Sequence, residues 1–258
     1  MYQRSWHQKI ASILDKLAAA ELLAHQCYFG GGTSLVFQST LENWNLGGEY
    51  RRSDDIDFLC TAQPFHKIRQ LVSRNGIACL LTDLRLAREP RIDQYAIRVP
   101  IIAPDTQEIV RFEIVCDAAS ANHDPGVVVN GLTCLSLADS VAHKLMANND
   151  RWADRAVALR HYIDLIAIAH QKQGLPKGGL AIAYAAYGEQ GIRETIIKAH
   201  DLLCHEGYIE RCAATLDLGE SMTEFLHVFA TLDPDVAEHE LLRDGLLLDG
   251  ATWPVALL

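Results

Sequence analysis

Phe29-Gly30-Gly31-Gly32-Thr33-Ser34-Leu35-Val36-Phe37, followed after a polar interval by Arg51-Arg52-Ser53-Asp54-Asp55-Ile56-Asp57-Phe58, is the stretch on which the reading of this chain turns. Residues 25–29 have the character of a short strand that the glycines stop, and Thr33 or Ser34 can cap a helix running on through Leu35, Val36 and Phe37. A strand, a glycine turn and a helix N-terminus in that order present backbone N–H groups to an anion. In the second half, Asp55-Ile56-Asp57-Phe58 alternates polar and apolar, so a strand there puts both carboxylates on one side. Two carboxylates so placed can hold one divalent ion, or bridge two, which is how phosphoryl and nucleotidyl transfer neutralise charge on phosphates. The stretch is therefore expected to hold a nucleoside triphosphate and its metals.

Each half alone is a weak signal, because most glycine triplets are only turns and most Asp-x-Asp pairs only solvated strand faces. Together they say more. Asp57 is bracketed by Ile56 and Phe58, which sets an ionised group beside core positions where an unpaired charge is costly. A third carboxylate from a neighbouring strand normally completes such a site. Glu113, within Val110-Arg111-Phe112-Glu113-Ile114-Val115, is the candidate; the competing reading is a surface residue on an edge strand.

Working outward, Trp6, Ile10, Ile13, Leu14, Leu17 and Leu22 fall at helical spacing over residues 5–24. Residues 42–54 are polar, contain Gly47-Gly48 and are expected to be a loop. A helix carrying Phe65, Ile68, Leu71 and Val72 ends near Asn75-Gly76, and residues 78–86, 95–102 and 108–116 are expected to be strands of the same sheet. From about Leu135 long helical patterns take over and run to about Leu248, with a break at 174–179. The expected class is α+β, a mixed sheet with flanking helices over residues 1–134 followed by a helical domain over 135–258.

Composition sets limits on function. The chain has 258 residues, 49% of them hydrophobic and 22% charged, enough to bury a core. A formal net charge of −10 argues against coating nucleic acid through a broad basic surface, though not against a local basic pocket. Seven cysteines without Cys-x-x-Cys spacing fit free thiols in a reducing compartment. No apolar run is long enough to span a bilayer, and the first residues lead into an amphipathic pattern, so a cytoplasmic protein is expected. The eleven histidines show no H-E-x-x-H spacing, there is no G-x-S-x-G elbow, and the glycine turn lacks the Lys-Ser/Thr of a Walker loop.

Further along, Lys144, Asn148, Arg151 and Arg155 share one face if a helix from Ser136 runs unbroken, giving a compact basic face in an acidic chain that could answer phosphate. Arg160 and Asp164 are spaced as an intrahelical pair, and Asp164 sits among Ile163, Leu165 and Ile166, where it would be buried and paired.

Gly31-Gly32-Thr33-Ser34-Leu35, Arg51-x-Ser53-x-Asp55-Ile56-Asp57, Lys144-Leu145-Met146-Ala147-Asn148 and Arg160-x-x-x-Asp164-Leu165 resemble, in order, the four motifs of the AbiEii/AbiGii nucleotidyltransferase toxins, part of the DNA polymerase β-like nucleotidyltransferase superfamily. The resemblance spans residues 25–170. It implies a nucleotidyltransferase sheet joined to a helical part, with Asp55 and Asp57 holding Mg²⁺ and Glu113 as the candidate third ligand. It also implies a nucleotide site in which Gly31, Gly32, Thr33, Ser34, Arg51 and Ser53 meet the phosphates, Lys144 binds the triphosphate with Arg151 nearby, and Asp164 serves in or beside the site. His161 stands where the fourth motif usually has Asp, and the interval before Asp55 is long, which suggests an altered access loop.

The expected activity is thus transfer of an NMP group from an NTP to an acceptor hydroxyl. Some members of that family add nucleotides to the 3′ end of tRNA, so the resemblance makes tRNA one candidate acceptor, and it implies the toxin of an abortive-infection or toxin–antitoxin pair with a DNA-binding antitoxin. The alternatives are transfer to a protein or small molecule, and a nucleotide-binding module without catalysis that acts through a partner.

Overall fold

A computed structural model of the chain describes residues 2–104, 106–118, 120 and 122–243. The chain divides into two compact units, one made of Met1–Leu41 with Arg52–Ser136 and the other of Glu42–Arg51 with Leu137–Leu258.

The first unit is built on a mixed sheet. Its strands are β1 (Tyr28–Gly30), β2 (Ile56–Thr61), β3 (Arg85–Leu86), β4 (Arg91–Ile92), β5 (Ala96–Ile102), β6 (Ile109–Asp117), β7 (Pro125–Val129) and β8 (Leu132–Leu135). They lie in the order β3-β5-β6-β2-β1-β8-β7, with β4 paired to β5. β2 runs parallel to β6 and antiparallel to β1, which in turn runs parallel to β8. Helices α1 (Ser5–Leu14), α2 (Ala19–Ala24), α3 (Gly31–Leu41) and α4 (Ala62–Asn75) flank it.

Alternation along β2 does what its sequence demands. Ile56, Phe58 and Cys60 are buried, while Asp57, Leu59 and Thr61 face the other side. The rings of Phe29, Phe58 and Phe112 pack in tilted pairs across β1, β2 and β6 with centroids 5.5 and 5.7 Å apart. Burying each such ring contributes roughly 1.5–3 kcal/mol, and this apolar layer fixes which way the intervening carboxylates point.

Two expectations need correction, and one element goes beyond them. Residues 5–24 form two helices, because the chain turns at Asp15–Ala18 through bonds such as Leu17 N–H to Leu14 O. Residues 78–86 are mostly not strand: a 3₁₀ turn at Ile77–Cys79 tucks Leu80 and Leu81 into the core, and only Arg85–Leu86 pairs in the sheet. The β7–β8 hairpin was not foreseen, although Asn130-Gly131 between two apolar runs, both at positive φ, is a strong hairpin signal.

The second unit is helical, with α5 (Leu137–Arg151), α6 (Arg160–Lys172), α7 (Lys177–Tyr187), α8 (Glu189–Leu203), α9 (Tyr208–Leu216), α10 (Glu220–Phe229) and α11 (Pro234–Leu242). α5 is central, packed on α6, α7 and α8. Its approach to α7 is close enough that a Cβ on Gly179 would lie 2.6 Å from the carbonyl oxygen of Ala138. The expected helical run to Leu248 is described only to Arg243; the rest lies outside the described residues. No helix among the described residues is long and apolar enough to cross a membrane.

The segment Glu42–Arg51 is a strap bound into the helical unit rather than an access loop. Trp44, Leu46 and Tyr50 are buried, Gln171 accepts from Asn45 N–H at 3.0 Å, and the Tyr50 carbonyl accepts from Gly219 N–H at 2.8 Å.

Candidate active site

In the sheet unit β1 passes into α3 without a connecting loop, Gly30 closing the strand and Gly31 opening the helix. Gly31 has φ +71°, and a Cβ there would lie 2.4 Å from Oδ2 of Asp57. The Asp57 carboxylate is thus laid against the first residue of α3, where helical N–H groups have no intrahelical acceptor. Behind it the Thr33 hydroxyl donates to the Asp55 carbonyl and lies 2.8 Å from Ser53 Oγ, tying the first motif to the second. Ser34 is turned inward, donating to the Phe29 carbonyl at 3.0 Å and accepting from Gln38 at 2.9 Å.

Across the parallel pair, Asp57 is in register with Glu113. Asp55, Asp57 and Glu113 are all partly exposed, flanked by the buried Ile56, Phe58, Phe112 and Ile114. Arg111, two residues before Glu113 and so on the same side of β6, donates from Nη2 to the Asp55 carboxylate and sets Nε 3.4 Å from Glu113 Oε1. Arg98, opposite Glu113 on β5, adds a second guanidinium at 3.8 Å and is itself held by Asp93 at 2.8 Å. Three carboxylates on one face, balanced by an arginine lying against two of them, form a site whose oxygen-rich donors suit a hard divalent cation. The guanidinium that now engages Asp55 and Glu113 shows that the cluster accommodates positive charge.

In the helical unit Asp164 is fully buried and accepts from four donors. Arg51 binds it with two, Nε to Oδ1 at 2.6 Å and Nη2 to Oδ2 at 2.9 Å; Lys144 Nζ lies 2.6 Å from Oδ2, and the Tyr50 hydroxyl donates to Oδ1 at 2.8 Å. Burial alone would push this carboxyl up, but the charges of Arg51 and then Lys144 outweigh it and hold it well below the usual range. Lys144 moves the other way: desolvation lowers its ammonium, and Asp164 restores only part of that. Two cations, Arg51 and Lys144, thus share this one buried carboxylate.

The family model described as "Nucleotidyl transferase AbiEii toxin, Type IV TA system" matches residues 12–235. The chain belongs to the AbiEii nucleotidyltransferase toxin family. Among solved structures, a "putative nucleotidyltransferase" from H. pylori is similar at 16% identity and a TM-score of 0.43, covering 90% of this chain and 92% of its own. JHP933 from Helicobacter pylori is similar at 14% identity and a TM-score of 0.42, covering 93% and 92%. No curated protein matches.

Within this AbiEii-family chain the structure brings Gly31, Thr33, Ser53, Asp55, Asp57 and Glu113 together in the sheet unit. It brings Arg51, Lys144 and Asp164 together in the helical one. The expected basic face of α5 does not form as a surface. The helix ends at Arg151, before Arg155; Lys144 and Asn148 are buried, and only Arg151 of the three is exposed. Sequence reasoning missed Arg111, Arg98 and Tyr50. For Arg111 the signal was its two-residue step from Glu113; for Arg98 and Tyr50 it lay in pairings between distant segments.

Proposed function

We propose that this protein transfers a nucleotidyl group from an NTP to an acceptor hydroxyl with release of pyrophosphate, as the toxin of a pair whose partner is a DNA-binding antitoxin. The observation that carries the reading is the convergence of Asp55, Asp57 and Glu113 on one face, with Asp57 set against the glycine-opened N-terminus of α3. Asp55, Asp57 and Glu113 would hold Mg²⁺. Bound there, the ion would supply Lewis-acid polarisation of the phosphate and a lowered pKa at the acceptor hydroxyl. The N–H groups of Gly31, Gly32 and Thr33, with Ser53, bind phosphate oxygens; Ser34, hydrogen-bonded inward, fixes the turn that presents them. Arg111, relieved of Asp55 when a cation enters, is free to turn to phosphate. Lys144 and Arg51, oriented by Asp164, supply positive charge for the triphosphate, and the exposed Arg151 adds to it.

The acceptor in this reading is the 3′ end of tRNA. The test is incubation with each labelled NTP, Mg²⁺ and total tRNA. Label should enter RNA and fall by at least roughly 10²–10³-fold in Asp55→Ala; transfer undiminished in that variant would sink the assignment. The net charge of −10 favours a second acceptor class, a protein or small molecule, which label resistant to RNase would reveal.

A further inference from the structure

A groove of about 270 Å³ lies on the sheet unit, outside the carboxylate cluster. Trp6 and Lys9 of α1 form one wall, Arg52 and Asp54 of the segment entering β2 another, and Glu108 and Ile109 at the start of β6 the third. Pockets for whole small molecules run roughly 300–1,000 Å³, so this one lies at the small end of the range and has room for a single planar heterocycle. We propose that it receives a nucleobase, an inference that rests on the nucleotidyltransferase reading and adds to it where the base would lie.

The lining selects that chemistry. The Arg52 guanidinium carbon lies 3.4 Å from the Trp6 ring centroid and Lys9 Nζ 5.1 Å from it. A guanidinium stacked on an indole offers a flat π and cationic surface, on which bases stack with little regard to identity. Each cation already has its carboxylate. Arg52 Nε is 2.8 Å from both Asp54 oxygens, and Lys9 bonds Glu108. Two positive and two negative groups leave no net attraction for a free anion, and the paired cations oppose a metal ion. What remains is a neutral, flat ligand whose edge carries donors and acceptors, which describes a base.

Its place supports the same occupant. Arg52 and Asp54 line the groove, whereas Ser53 and Asp55, alternating with them along the chain, lie against Thr33 and Arg111. On the other side Ile109 in the groove is two residues from Arg111, which bonds Asp55. One short run of chain therefore carries groove residues and site residues in turn. A nucleotide places its base beside its phosphate or hydroxyl in the same way.

The base has two possible sources, the incoming NTP or the end of an acceptor strand, and equilibrium binding to the full chain separates them. The probes are Mg²⁺-tripolyphosphate, each of the four NTPs with Mg²⁺, and a short single-stranded RNA with a free 3′ hydroxyl. In Trp6→Ala, affinity for the base-bearing probe that uses the groove falls roughly 5- to 150-fold, while tripolyphosphate affinity stays as in the wild type. Loss for the NTPs identifies the donor base, and loss for RNA alone the acceptor base. Trp6→Phe, which keeps a ring, recovers much of the loss. Ile109→Trp fills the groove from a position 63% exposed; it reproduces the effect without touching α1, should Trp6→Ala fail to fold. Unchanged affinity for NTPs and RNA in folded Trp6→Ala or Ile109→Trp overturns the inference and leaves the nucleotidyltransferase reading standing. A wild-type protein that binds neither tripolyphosphate nor any NTP overturns both.

Discussion

Gly31 and Asp57 occupy space that only a glycine can leave open, the carboxylate Oδ2 lying 2.4 Å from where a Cβ on residue 31 would be. Gly31→Ala therefore meets two costs, a left-handed φ of +71° and displacement of the carboxylate by about 1 Å to reach an ordinary contact distance. The first destabilises by ~1–2 kcal/mol. The second acts on chemistry, where a misplacement of about 1 Å lowers turnover roughly 10²-fold. Gly131→Ala is the control, since φ is +75° but nothing lies within 4 Å of its Cβ. It should lose similar stability in urea titrations and keep its transfer rate. Equal activity in the two variants would count against a site at Asp57.

Arg111 is the counter-charge of the carboxylate face, and a divalent cation must displace it. Because it is more than half exposed, its screened pairing is worth ~1 kcal/mol or less. Arg111→Ala should bind Mn²⁺ up to about five-fold more tightly and melt earlier in chelator. If Arg111 also contacts phosphate, NTP affinity falls in the same variant. Calorimetric titration with Mn²⁺ checks the first point, and tighter binding should be lost again in Arg111→Lys.

The parts of this site that were legible in sequence are those set by local periodicity. Alternation around Ile56 and Phe58 dictates that Asp55 and Asp57 share a side, and the same alternation around Phe112 and Ile114 aims Glu113. The glycine run marks where a strand must stop. What local pattern cannot supply is pairing. Nothing near Arg51 says that its guanidinium is held by Asp164, and nothing near Tyr50 says that a polar interval is pinned to α6. The apolar run at Leu80-Leu81 misled because burial, without alternation or length, is shared by strands and by a 3₁₀ turn that plugs a core.

Asp164→Asn should be the most destabilising conservative change among these residues. It removes the negative charge that Arg51 and Lys144 share, and breaking a buried pair in this way costs about 3–5 kcal/mol. Lys144→Met costs less, since Arg51 keeps both of its bonds to Asp164 and the lysine's desolvation is relieved. Urea unfolding of the two variants measures the difference. If Lys144→Met proves stable yet loses NTP affinity, the lysine acts on the triphosphate; if it loses neither, its role is confined to Asp164.

Acid should weaken the helical unit from an unusually high pH. His161 is pushed down from 6.5 to about 2, first by burial and then by the Lys144 charge, and neither ring nitrogen has a hydrogen-bond partner among the described residues. Between those pH values the unfolded chain binds a proton that the native one does not, so stability falls as pH drops below 6.5 and goes on falling to about 2. Asp164 acts in the same direction lower down. Its carboxyl, held below the unfolded 3.8, stabilises above that value, and the contribution is lost as pH falls through the folded one. Lys144, lowered from 10.5, acts at the alkaline end, where stability rises as pH climbs through the window beneath 10.5. His161→Leu removes the His161 share of this limb, while His170 and His200, also pushed down by burial, keep theirs. Its urea midpoint should therefore fall less steeply than that of the wild type between pH 6.5 and about 4.5, and equal slopes in the two proteins would remove His161 from the account.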